Sequence, residues 1–186
     1  MAITYPTTLD AFTNPTAASL LTSPSHAQQH SDINDAVEAL ETKVAIGNTV
    51  IGTYTAYTPT FLNVTAGNGT TSGAYCRVNN FVHYYGSFTL GSTSAVTGAI
   101  SIVLPININA DVATGISTIG IMNLLDTSAA ITLQGISRYN GASSSCFAGV
   151  ILASGTYGQW QSLNATTPFT WATGDSINFN LYYRAA

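Results

Sequence analysis

His26 and His30 stand four residues apart in SHAQQHSDINDAVEALETKV, residues 25–44. On a helix that spacing puts two imidazoles on one face, as helical metal ligands require. Metalloprotease chemistry on such a pair also needs a glutamate directly after the first histidine, to act as general base. Ala27 stands there, followed by Gln28 and Gln29, so hydrolysis by a metal-bound water is not expected. Two nitrogens per chain fall short of a closed four-ligand site. No metal and no cofactor is expected from one chain; several copies meeting at His26 and His30 would be needed to hold an ion.

The other reactive residue types are sparse. His83 is the one histidine after residue 30 and lies in an alternating run, which reads as a hydrogen-bonded sheet histidine rather than a general base. There is no G-x-S-x-G elbow for a serine nucleophile. Asp111, Asp126 and Asp175 are isolated and turn-like, whereas a glycosidase needs two carboxylates facing a cleft. GNGTTSG, residues 67–73, lacks the lysine of a phosphate-binding loop. Cys76 and Cys146 form no disulfide framework and read as buried thiols. These residues point away from an enzyme. The tyrosines and tryptophans from Tyr54 to Tyr183 fit a core or a subunit interface, and exposed ones would suit sugar stacking.

The elements around these residues differ sharply in composition. The 186 residues carry a net charge of -4 and are 46% hydrophobic and 6% charged, against roughly 25% charged in an ordinary domain. Lys43, Arg77, Arg138 and Arg184 are the only basic residues, too few to neutralise a nucleic-acid backbone or to dock on an anionic membrane. The start has neither a basic nor an apolar leader region, and the longest apolar runs are strand-sized. A soluble protein made in a cytoplasm, without membrane insertion, is expected.

Half of the charged residues, Asp10, Asp32, Asp35, Glu38, Glu41 and Lys43, fall within the first 47 positions. Residues 1–22 contain Pro6 and Pro15 and show no period, yet Tyr5, Leu9, Phe12, Leu20 and Leu21 are too apolar for a free tail. They are expected to form an extended arm lying against another surface. Residues 23–47 predict a helix, with Ser23 as N-cap, Pro24 at the first position and Gly47 at the stop. Asp32, Asp35, Glu38 and Glu41 would form its solvated face. Ile33, Val37, Leu40 and Val44 recur at four, three and four, which is heptad spacing, and extending it backward puts His30 and His26 on the same seam. A lone helix of this length is marginal in water, so the seam predicts self-association. Val at a and Leu at d lean toward two strands.

Residues 48–186 predict an antiparallel β domain of sandwich or jelly-roll type, from short β-branched and aromatic runs separated by Gly, Ser, Thr and Asn. The clearest is AYCRVNNFVHYYGSFTL, residues 74–90. Asn79-Asn80 would make a two-residue hairpin turn. Phe81, His83, Tyr85 and Ser87 would share one face, and Val82, Tyr84, Gly86 and Phe88 the other. Further strands are expected in AISIVLPI, GISTIGIMNLL, AITLQGISRY, SCFAGVILAS and SINFNLYYRA.

The opening P-T-x-L-D-x-F-x-N-P, the run S-P-S-H…H-x-D-x-N-D-A-x-E-A-L and the close at Ala45-Ile46-Gly47 resemble the N-terminal module of tailed-bacteriophage virion proteins of minor tail, tail-fibre or related surface type. AYTPTF, GNGTTSGAYCRVNNFVHYYGSFTLGSTS and ISIVLPI resemble the β domain that follows in such proteins, with Asn79-Asn80 where Gly-Lys is common. The resemblance implies a homotrimer whose arm docks on tail or major capsid protein and whose β domain faces outward. It favours three strands over the two suggested by the seam. The expectation is a non-enzymatic virion component, assembled in the host cytoplasm. Capsid decoration is the alternative, and an adhesin knob binding a host-surface glycan is a further one.

Overall fold

The computed structural model describes residues 25–44, 52–109, 117–139, 141, 144–154 and 156–186, with the side chains of 41–44 and 154 outside that description. The arm residues Tyr5, Leu9, Phe12, Leu20 and Leu21, the side chain of Val44, and Asp111 therefore lie outside the described residues. The chain divides into two compact units, Met1–Thr53 and Tyr54–Ala186.

In the first unit, helix α1 runs from His26 to Val44, about 28 Å at 1.5 Å per residue. The cap is Ser25 rather than Ser23. The Ser25 hydroxyl accepts the Gln28 amide at 3.1 Å and its carbonyl accepts the Gln29 amide at 3.0 Å. The first satisfies a donor that a helix start otherwise leaves orphaned, and the second is the first ordinary turn bond of the helix. The expected acidic face is only partly solvated. Asp35 and Glu38 are exposed, but Asp32 is buried, at 8% exposure, and accepts the Gln28 carboxamide at 2.8 Å. Asp32 shares its strip with Gln29, Ala36 and Ala39, which are half-buried too. Successive helix residues are about 100° apart, so the covered strip lies well to one side of the seam.

The second unit is mainly β. It contains β1 (Thr55–Ala56), β2 (Phe61–Thr65), β3 (Thr70–Val78), β4 (Phe81–Thr89), β5 (Ala95–Val103), β6 (Thr118–Asp126), β7 (Ile131–Tyr139), β8 (Ser145–Ser154), β9 (Tyr157–Ser162) and β10 (Ser176–Arg184). All pairings between them are antiparallel. The strands lie in the order β1-β3-β4-β10-β6-β7-β8-β5-β2, with β9 on β8. The ladder is continuous, a single sheet curled into a half-barrel, where the sequence alone suggests two packed sheets.

The turn at Asn79-Asn80 joins β3 to β4 as expected. Val78 pairs with Phe81, and Asn79 takes a φ of 53°, a left-handed value that asparagine tolerates. The alternation of β4 is also as expected: Val82, Tyr84, Gly86 and Phe88 point inward, and Phe81, His83, Tyr85 and Ser87 point out. Ile177, Phe179, Leu181 and Tyr183 of β10 join the inner face, with Met122 and Leu124 of β6.

Curling brings the far end of the strand order over this face. The Phe61 ring on β2 lies 5.4 Å from Phe88 and 6.2 Å from Phe179. Gly86 permits this closure, because a Cβ there would meet Phe179 at 2.6 Å and Pro59 at 2.7 Å. No helix among the described residues is long and apolar enough to cross a membrane.

Candidate functional site

On α1 the two histidines face each other. Their Nε2 atoms are 2.9 Å apart and their rings meet edge to face, with centroids 4.4 Å apart. One ring donates and the other accepts, so each partly satisfies its neighbour. No group of three or more histidine, cysteine, aspartate or glutamate side chains suited to a metal occurs among the described residues. The seam is open to solvent: Ile33 is 57%, Val37 47% and Leu40 51% exposed, and His26 and His30 are exposed on the same side.

The described carboxylates of the β unit serve the backbone. Asp175 is fully buried; its two oxygens accept the Thr127 amide at 2.9 Å and the Ala172 amide at 2.7 Å. Asp126 accepts the Ser128 hydroxyl at 2.7 Å and the Ala129 amide at 3.0 Å, and the Ser128 bond foremost holds its carboxyl below the ordinary range. Both anchor turns: Asp175 engages backbone amides with both oxygens, and Asp126 takes a hydroxyl and an amide on Oδ1. Cys146 is buried as expected, while Cys76 is half-buried, and both are free thiols.

His83 lies on the outward face of β4 with both ring nitrogens engaged. Nε2 donates to Asn180 Oδ1 at 3.2 Å, because a carboxamide oxygen can only accept. Nδ1 therefore accepts the Tyr54 hydroxyl, at 2.5 Å. The ring lies flat on Tyr182, with centroids 4.4 Å apart and planes 2° apart. Tyr54 also stands edge-on to Tyr85 at 5.4 Å. The sheet histidine expected from the alternation is thus an orienting group in a cluster of partly exposed rings.

Beside this cluster the strand register sets up a polar row. Ser72 pairs with Ser87, Ser87 with Asn178, Asn178 with Asn123, and Asn123 with Gln134. The row crosses β3, β4, β10, β6 and β7 on the outward face. The next row carries Tyr85, Asn180 and Ile121. Between the two rows runs a shallow groove of about 330 Å³, lined by Ser72, Tyr85, Ser87, Ile121, Asn123, Asn178 and Asn180 and by the inward residues Gly86, Met122 and Phe179 beneath. No charged side chain lines it.

Sequence reasoning selected exposed rings as the sugar-stacking candidates but missed the amides. Their outward positions follow from alternation; their alignment follows only from register. Comparison of the chain with protein-family models, with curated proteins and with solved structures finds no match.

Proposed function

We propose that this chain is a non-enzymatic structural component of a tailed-phage virion, a homotrimeric surface appendage of minor tail or tail-fibre type. The arm carrying Tyr5, Leu9, Phe12, Leu20 and Leu21 docks on another virion protein. The helix forms a short oligomeric bundle, and the curled sheet serves as an outward knob. The observation that carries the reading is the uncovered seam of Ile33, Val37 and Leu40. Full burial of such side chains contributes about 1.5–3 kcal/mol each, which other copies of the same helix would supply. The resemblance of residues 1–47 to phage virion modules supports the setting and the choice of three copies.

Gold-labelled antibody against the chain tests it on purified particles. Label on tails is the expected result. Label on tailless capsids would move the protein to capsid decoration, and particles with no label anywhere would overturn the virion reading.

A further inference from the structure

We infer that the outward face of β4, β10 and β6 binds an uncharged carbohydrate, in the groove between Tyr85 and the row Ser72, Ser87, Asn178 and Asn123. Five adjacent strands each present one hydroxyl or carboxamide, in the order Ser72, Ser87, Asn178, Asn123, Gln134. At about 4.8 Å between strands the row is about 19 Å long, enough for several linked pyranose rings. Asn178 donates to Ser176 Oγ at 3.2 Å. Among the described residues, the side chains of Ser72, Ser87, Asn123 and Gln134 have no hydrogen-bond partner. Carboxamides and hydroxyls offer donors and acceptors together, matching the mixed donor and acceptor character of sugar hydroxyls.

Three further features narrow the ligand class. The groove lining carries no charge, so it offers no counter-charge to a phosphate, a sulfate or a basic peptide. Tyr85 is 41% exposed on the groove wall, and its ring is held edge-on by Tyr54. A fixed aromatic platform costs little entropy to dock on. The His83 bridge from Tyr54 to Asn180 fixes the Asn180 carboxamide with its oxygen toward His83, which turns its NH₂ group away from that bond. An oriented ring beside the held carboxamides of Asn178 and Asn180, free of charge, suits a neutral glycan lying across the strands.

This inference names a ligand for the β unit and is separate from the oligomer proposed above. Saturation-transfer NMR on the full chain tests it. The probes are linear tri- and tetrasaccharides of glucose, galactose, mannose and N-acetylglucosamine, with a sialylated and a sulfated trisaccharide as charged controls. Transfer to at least one neutral probe is expected, with affinity reduced at least tenfold in Tyr85→Ala and again in Asn123→Ala. Both positions are exposed, and unchanged circular dichroism would show that the variants fold. Absence of transfer to every neutral probe would overturn the inference. So would equal binding of the charged controls, or binding unaffected by both variants. Light scattering on the same samples separates the two proposals: if Tyr85→Ala and Asn123→Ala dissociate an assembly, the face is a subunit interface and the glycan site is refuted. A monomeric wild type that still binds sugar would refute only the oligomer.

Discussion

At the scale of single residues, the buried acids decide how the β unit responds to substitution and to pH. Asp175, itself buried, accepts two part-buried backbone amides with its two oxygens. Asp175→Ala removes both acceptors, and losing a donor's partner costs about 1–3 kcal/mol where water cannot replace it. Urea unfolding is therefore expected to show a loss of about 2–6 kcal/mol; an unchanged midpoint would mean that the carboxylate is not the anchor. Cys146 gives the pH dependence. Burial pushes its thiol from the ordinary 9.0 up to about 12, and burial likewise raises the phenols of Tyr84 and Tyr183. A folded-state value above the unfolded one means that the stabilisation is complete below pH 9 and is lost as pH rises toward 12. Alkaline titration followed by circular dichroism should show unfolding in that window, and Cys146 should resist thiol reagents at pH 8 while the protein is folded. Rapid labelling of both cysteines in the folded protein would contradict this account.

At the scale of elements, legibility tracked the range of the physical signal. The hairpin at Asn79-Asn80 and the two faces of β4 were readable because turn chemistry and alternation act over a few residues. So was the chemistry missing at Ala27. Strand β2 was not readable, since Asn63 breaks its alternation with a φ of 61° and the register shifts there. Strand β9, YGQWQS, lacks the β-branched residues that mark a strand. Nor was the burial of Asp32, which depends on what covers one strip of α1, or the row from Ser72 to Gln134, which exists only once five strands have paired. Continuous pairing around the curl likewise replaced the two sheets expected from strand spacing. That curl depends on the close approach at Gly86. Gly86→Ala forces a methyl against Phe179 and Pro59. The expected cost is about 1–3 kcal/mol, as in other overpacked cores. A differential scanning trace with an unshifted transition would show that the curl has room to relax there.

At the scale of the whole molecule, the outstanding feature is the apolar helix seam left exposed along α1. The β unit buries its own core, and its surface mixes polar and aromatic rows with single exposed aliphatic side chains such as Ile121 and Ile151. The seam of α1 has no such closure, and a helix of this length gains most of its stability from packing. Leu40→Asp places a charge where the proposed bundle would bury it, so the variant should lose the assembly while the β unit keeps its circular dichroism. The most direct test is multi-angle light scattering of the full wild-type chain at micromolar concentration. The expected mass is three times the 19.4 kDa of one chain, falling to one chain in Leu40→Asp. A wild-type mass of a single chain would contradict the proposed bundle.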